Sequence, residues 1–186
     1  MRRGINPFSA EDLARQEGSV ANENDAQPEG LSRGQGPTRE SDSVKRILAY
    51  LAHHNTLTLA TERDGIPFAC SLFYANDNFD LYFVSETKTR HAENLISNPR
   101  VAAAIHENYS DWRVIQGVQL EGACAVVSDP IESARALALY AAKFPFVTQL
   151  GAAMAMVSPF KVTPRWVRFV DNTRGFGFKE ELICNV

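Results

Sequence analysis

The sequence has 186 residues, of which 45% are apolar, with a formal net charge of −3 and a pI near 5.8. These values predict one domain with a buried core, and they argue against a basic surface for nucleic acid. No stretch reaches the roughly 18 consecutive apolar residues that a membrane-spanning helix needs. The three cysteines are widely spaced and no apolar leader follows the first arginines, which predicts free thiols and a cytoplasmic protein.

Residues 1–40 differ in composition from the rest of the chain. They contain 5 of the 11 glycines and 3 of the 9 prolines but a single aromatic residue, Phe8. Their apolar residues follow neither a strand nor a helix period, so burial cannot offset the entropy of ordering them. We therefore expect a disordered N-terminal tail over residues 1–40 and a folded domain over residues 41–186.

The folded domain is expected to begin with a helix and to continue with short strands. Apolar residues recur at helical spacing in "SDSVKRILAYLAHHN". Strands are predicted in "TLTLAT", "PFACSLFYA" and "DLYFVS", with turns at Asp64-Gly65 and in "NDNFD". Each of these strands would be one hairpin away from the previous one, which predicts a mostly antiparallel sheet.

Two further helices are predicted among the later strands. "TRHAENLISNP" would place Ala92, Leu95 and Ile96 on one face, and "DPIESARALALYAAKF" has Asp129 as its N-cap and Pro130 in its first turn. The remaining strands are "VAAAIHE", "VIQGVQLEGACAVV", "FKVTPRWVRFVDN" and "GFGFKEELICN". About seven strands with two or three helices predict a mainly β fold, a small closed or half-open barrel with flanking helices.

The transition from the strand "LYFV" to the helix that follows is the strongest functional signal. A helix that begins near Thr89 would turn its unpaired N–H groups and its positive end toward this segment. Hydroxyl and basic groups beside such a helix end would suit a phosphate group. The segment supplies six of them: Ser85, Thr87, Lys88, Thr89, Arg90 and His91. A plain helix cap at Thr89 beside solvated surface charges would leave the same pattern.

The same segment carries a resemblance to a known family. The chain has Gly65 and Pro67 in a predicted hairpin, an apolar pair before Ser85, a hydroxyl–basic cluster, and then "NL" and "NPRV". This order, over roughly residues 43–127, resembles the pyridoxamine 5′-phosphate oxidase-related superfamily of FMN-binding split barrels. The segments "TKTRHA" and "DNTRGFGFKEEL" are similar to a small, uncharacterised bacterial subgroup of that superfamily.

The resemblance implies an antiparallel split β-barrel that binds FMN at the interface of a homodimer. The isoalloxazine ring would lie over the second strand and contact it largely through backbone, at Cys70, Ser71 and Leu72. The phosphate would lie on the positions that hold it in the family, here Ser85, Lys88, Thr89, Arg90 and His91. His91 stands where the family most often has lysine, which implies weaker and pH-dependent binding unless Lys88 supplies the charge.

Other polar and aromatic residues are candidates for contact with the cofactor. Gln116 and Gln119 have opposite parity on one strand, so at most one faces the site, and we take Gln119 as the candidate. Two solvent-facing amides would leave the same pattern. Trp166 would either stack on a flavin or fill the core or a subunit interface. Arg174 lies in a turn from which it could reach a ligand across a dimer.

The sequence contains no common hydrolase motif and no paired catalytic carboxylates, and the adjacent His53 and His54 lack partners at metal-ligand spacing. This fits flavin chemistry, in which the cofactor carries the reaction. The expected function is FMN-dependent oxidation or reduction of a small molecule whose identity stays open. Two alternatives remain: a non-catalytic protein that binds flavin, haem or another phosphate-bearing ligand, and a domain that has lost the flavin.

Overall fold

The computed structural model describes residues 38–184, with side chains described from residue 42 onward, and most of the predicted tail over 1–40 lies outside this range. Three α-helices lie within the described residues: α1 (Thr38–His53), α2 (Arg90–Ser97) and α3 (Pro130–Lys143). The strands are β1 (Thr56–Arg63), β2 (Ile66–Phe73), β3 (Ala75–Asp77), β4 (Asp80–Ser85), β5 (Arg100–His106), β6 (Gln116–Val126), β7 (Ser158–Asp171) and β8 (Lys179–Ile183). Short 3₁₀ segments cover Trp112–Val114, Pro145–Met156 and Asn172–Arg174.

All strand pairs are antiparallel, and the sheet curls into an open barrel in the order β2-β1-β5-β6-β7-β4-β3, with β8 paired to β7. The predicted fold class is therefore confirmed. The turn between β1 and β2 is also where the sequence placed it. Asp64 and Gly65 have φ angles of 57° and 78° between the paired Arg63 and Ile66, the geometry of a two-residue type I′ hairpin.

The prediction that a hairpin joins the second and third predicted strands is wrong. β2 lies at one end of the sheet, whereas β3 and β4 lie at the other, and "NDNFD" turns the chain between β3 and β4. The crossover passes through Tyr74, which is fully buried and donates its hydroxyl hydrogen to the Leu51 carbonyl at 2.7 Å. A local turn signal predicts that the chain reverses, but it cannot tell which strands will pair.

Alternate side chains of the strands point inward and form the core. Leu57 and Leu59 of β1 are buried, and Phe83 stacks on Phe160 with ring centroids 5.1 Å apart. Helix α1 covers the same core with Ile47 and two neighbouring positions one turn away, and α2 adds Ala92 and Leu95. No helix among residues 38–184 combines the length and apolar character needed to span a membrane.

The structure confirms the start of α3 and corrects one face of α2. The Asp129 carboxylate accepts the backbone N–H of Glu132 at 2.7 Å, as an N-cap does. Ile96, expected to be buried, is 79% exposed. The buried face of α2 instead includes two polar residues, His91 and Asn94, because both find hydrogen-bond partners inside the barrel.

Gly122 lies where β6 and β7 approach closely. The register between these strands shifts between Glu121 and Gly122, which marks a bulge. A Cβ atom on Gly122 would lie 2.2 Å from the Thr163 carbonyl oxygen and 2.8 Å from the Pro164 Cα. Both obstacles are backbone, so a side chain here would force the two strands apart.

We expect Gly122→Ala to lower the free energy of unfolding by about 1–3 kcal/mol, because the added methyl overlaps backbone that cannot move aside. Ala123→Ser, at an exposed position next in the same strand, is the matched control and should stay close to wild type. Urea denaturation of the three proteins measures the difference. Equal midpoints for Gly122→Ala and wild type would contradict the close approach.

Candidate functional site

The end of β4 and the start of α2 bring three of the predicted site residues into mutual contact. Ser85 Oγ lies 2.8 Å from His91 Nε2, Thr89 Oγ1 lies 3.0 Å from the same nitrogen, and the two hydroxyl oxygens are 3.2 Å apart. Ser85 and His91 are each only 7% exposed, whereas Thr89 is half-buried. We call Ser85, Thr89 and His91 the hydroxyl–imidazole cluster.

Thr89 occupies the N-cap position of α2, but its side chain does not cap the helix. Its hydroxyl instead donates to the Glu86 carbonyl oxygen at 2.9 Å. The first N–H groups of α2 therefore end beside the cluster without a side-chain acceptor from Thr89. Such a helix end attracts an anion through both its N–H groups and its dipole.

His91 links the cluster to β2. Its Nδ1 atom lies 3.6 Å from Cys70 Sγ, and its ring meets Phe83 edge-on at 6.0 Å between centroids. Burial lowers the pKa of His91 below its usual value and raises the pKa of the Cys70 thiol, because both charged forms would lose water. At neutral pH the interior of the site is therefore polar but uncharged.

The positive charge of the site lies at its rim. Arg90 and Lys88 are both exposed, and the Arg90 guanidinium stands over the Phe68 ring with its Cζ 4.5 Å from the centroid. This stacking orients the guanidinium while leaving it charged. A ligand at this junction would meet neutral hydroxyls on its inner side and cations on its outer side.

Ser71 and Leu72 lie on β2, the terminal strand of the curled sheet. Arg63 and Ile66 close the hairpin, so Ile66 and every second residue after it form backbone hydrogen bonds with β1. Ser71 is not among these residues, and its backbone N–H and C=O therefore point to the opposite edge of β2. No strand within residues 38–184 pairs with that edge. Leu72 points its half-buried side chain into the barrel.

Gln119 lies apart from the hydroxyl–imidazole cluster, on the other face of the sheet. The outer face, as we use the term, consists of Thr58, Ala60, Ala102, Ala104, Gln119, Glu121, Trp166 and Arg168. Strand pairing places Gln119 in one row with Ala104 and Thr58, which ends at Ser71 on β2. Gln119 thus shares a face with the Ser71 side chain, and its contact with a cofactor stays a prediction.

The remaining candidates are held by partners within the chain. Trp166 stacks against the Arg168 guanidinium at 4.8 Å and donates its indole N–H to Glu181 at 3.4 Å. Arg174 pairs with Glu180 at 3.1 Å. Gln116 donates to the buried Asp171 carboxylate at 2.9 Å, which gives this amide a structural role.

Two side chains of the site were missed from sequence. Cys70 was expected to contribute backbone only, yet its thiol approaches His91, and Phe68 was not considered although it supports Arg90. Both have the parity of the inward-facing Leu72, and that alternation is the sequence signal that could have identified them. Their proximity to α2 depends on how the sheet curls.

The pKa of His91 leads to a prediction about stability. The folded pKa lies below the unfolded value, so the unfolded chain binds the proton more readily, and stability is lost as the pH falls below the unfolded value. We expect the Tm of wild type to drop between about pH 7 and pH 5 more than that of His91→Asn. His53→Asn, which removes an exposed histidine, is the control. Parallel pH profiles for wild type and His91→Asn would contradict the burial of a neutral His91.

Several known proteins are similar to this chain. A UPF0306 protein of Klebsiella pneumoniae is 28% identical over 140 residues, which cover 74% of this chain and 91% of that protein. A heme binding protein from Mycobacterium smegmatis superposes with a TM-score of 0.62 at 24% identity, over 75% of this chain and 56% of that one. A FAD-binding protein from Mesorhizobium loti superposes with a TM-score of 0.54 at 22% identity, over 64% and 87%.

The structural similarities establish a shared fold at low sequence identity. The sequence itself matches the family model for pyridoxamine 5′-phosphate oxidase over residues 43–171, from α1 to the end of β7. That range contains β4, α2 and the whole hydroxyl–imidazole cluster. The chain belongs to the pyridoxamine 5′-phosphate oxidase family.

Proposed function

We propose that this chain binds FMN with its phosphate on the hydroxyl–imidazole cluster and acts as an FMN-dependent oxidoreductase. The observation that carries the proposal is the arrangement at the end of β4. Two hydroxyls and an uncapped helix end meet there, with Arg90 and Lys88 at the rim. A phosphate monoester needs hydrogen-bond donors on several sides together with nearby positive charge, and these groups supply both.

The donor groups fit a phosphate because their hydrogens can be redirected. The Thr89 hydroxyl donates to the Glu86 carbonyl oxygen, and Ser85 Oγ lies 3.3 Å from the same oxygen, to which it can also donate. A hydroxyl rotates about its C–O bond at little cost, so each could donate to a phosphate oxygen instead. His91, buried and neutral, would hold the two hydroxyl oxygens in place, and Arg90 with Lys88 would supply the charge.

The ring of the cofactor would lie along β2. The unpaired edge of this strand offers the backbone N–H and C=O of Ser71, and Leu72 and Phe68 line the inner side of the strand with apolar surface. When bound, FMN would supply the electron acceptor and donor chemistry of its ring. The chain's own residues would orient that ring and exclude water from one side of it. The substrate, a small molecule, stays unidentified.

We further propose that the protein is a homodimer that associates through the outer face. A solvent-facing sheet normally alternates polar residues outward, but the centre of this face consists of Ala60, Ala102 and Ala104. Shallow cavities of about 540 Å³ and 400 Å³ cover it and share Ala60, Ala102 and Glu121. Small side chains allow close approach of a second copy, and Gln119 would then lie at the interface.

A non-catalytic binding protein on the same scaffold is the second candidate. Proteins with this fold include one named for heme binding and one for FAD binding. Reduction of bound FMN by NADH or NADPH, with repeated turnover, would support the oxidoreductase, whereas flavin that stays oxidised would favour the binding protein.

The three free cysteines of the described chain fit the cytoplasm, which keeps thiols reduced.

We expect Arg90→Ala to weaken FMN binding by roughly tenfold to a hundredfold, since it removes a charged donor worth about 1.5–3 kcal/mol. Arg113→Ala is the matched control, because Arg113 is exposed and pairs with Asp111 two residues away. Fluorescence titration with FMN gives both dissociation constants. Equal affinity for Arg90→Ala and wild type would remove Arg90 from the phosphate site.

The proposed dimer is tested by a charge placed on the outer face. Ala102→Glu would put a carboxylate directly opposite Glu121 at the centre of that face, so we expect a monomer. Ala134→Glu makes the same change at an exposed position of α3 and should leave the dimer intact. Sedimentation velocity distinguishes the two states. A monomeric wild type, or a dimeric Ala102→Glu, would contradict this interface.

A further inference from the structure

The contacts around His91 favour one of the two neutral tautomers of its ring. Nε2 lies within 3.0 Å of two hydroxyl oxygens, those of Ser85 and Thr89. A hydroxyl has one hydrogen, and that of Thr89 is directed to the Glu86 carbonyl at 2.9 Å. Thr89 therefore presents a lone pair to Nε2. A bare Nε2 would set lone pair against lone pair at Thr89 and could accept only from Ser85, whereas an Nε2–H donates to both oxygens.

In a neutral imidazole with Nε2–H, the other nitrogen is an acceptor and needs a donor. Cys70 Sγ, at 3.6 Å from Nδ1, is in position to donate its thiol hydrogen. The opposite tautomer would leave that thiol hydrogen without this acceptor and would use sulfur as a weak acceptor instead. A thiolate–imidazolium pair is disfavoured as well, because burial favours the uncharged form of each partner.

We infer that Cys70 is a positioning residue of this site: its thiol donates to Nδ1 of His91 and holds the imidazole in the tautomer whose Nε2–H is shared by the Ser85 and Thr89 oxygens. Both oxygens then act as acceptors toward the ring, so each hydroxyl hydrogen can turn from the Glu86 carbonyl to a ligand. The inference rests on the proposed function in that the ligand is a phosphate. It adds a link from β2, under the proposed ring, to the phosphate end of the same site.

The link also explains how the site can use histidine. A buried cation at position 91 would need compensation by an anion whenever the ligand is absent, whereas a neutral donor does not. A neutral ring has two tautomers, however, and only one of them supports both hydroxyls. The thiol of Cys70 selects that tautomer, so the two residues act as a pair.

The test begins with the ligand-free full chain, isotope-labelled for NMR. The chemical shifts of the two ring nitrogens report the tautomer, and His91→Asn identifies the signals of His91. We expect the Nε2–H form in wild type, a mixture of tautomers in Cys70→Ala, and the Nε2–H form again in Cys70→Ser, whose hydroxyl can also donate. Cys184→Ala removes a half-buried cysteine elsewhere and should change nothing at His91.

FMN titration of the same variants gives the second readout. We expect Cys70→Ala to bind FMN about three- to tenfold more weakly, as for the loss of one neutral hydrogen bond, while Cys70→Ser and Cys184→Ala stay near wild type. A wild-type His91 protonated on Nδ1, or a Cys70→Ala protein that keeps the Nε2–H form alone, would overturn the inference. A wild type that binds no FMN would contradict the proposed function, and the ring-nitrogen shifts would still decide the role of Cys70.

Discussion

Strand β7 makes the barrel possible because it pairs with three others. It runs beside β6 along most of its length, and its opposite edge is divided between β4 over Ser158–Val162 and β8 over Trp166–Val170. β7 changes its partner from β4 to β8 around Thr163 and Pro164. At the same point the bulge beside Gly122 brings β6 and β7 close together. A bulge strengthens the local bend and twist of a sheet. The first half of β7 can therefore close the barrel while the second half continues into an open sheet.

The pairing of β4 with the first half of β7 places the candidate site. Ser85 is the last residue of β4 and pairs with Ser158, the first residue of β7, so β4 leaves the sheet at a buried position. Polar groups at such a position must satisfy one another. Here Ser85, Thr89 and His91 contact one another, and none of the three carries a charge at neutral pH. The positive charge lies at the rim of the site, on Arg90. We interpret this division as a phosphate site whose inner half is neutral and whose outer half is positive.

Features that depend on neighbouring residues were predicted from the sequence, whereas features that depend on distant residues were not. The Asp64-Gly65 turn and the Asp129 cap depend on residues next to each other, and both are confirmed. The pairing of β4 with β7 depends on residues more than seventy positions apart, and turn residues carry no information about it. Ile96 was misplaced for a related reason. His91 and Asn94 look polar in sequence, but their partners Ser85 and Thr61 make burial of that face favourable.

In the candidate site, too, the residues close together in sequence were predicted and those from a distant strand were not. The segment from Ser85 to His91 was identified from its position at a strand end, and its hydroxyls do converge. The side chains contributed by β2 were not identified, since their approach to α2 requires the curl of the whole sheet. Parity showed that at most one of Gln116 and Gln119 faces the site, but it does not say which face of the strand carries the ligand.

The central claim is that this junction binds FMN, and an absorption spectrum of the purified full chain tests it most directly. The protein would be incubated with FMN, passed through a desalting column and compared with the untreated protein. Our account predicts that the visible bands of oxidised flavin remain with the protein, in proportion to its concentration. A spectrum without visible absorption, or a haem band that excess FMN does not replace, would contradict it.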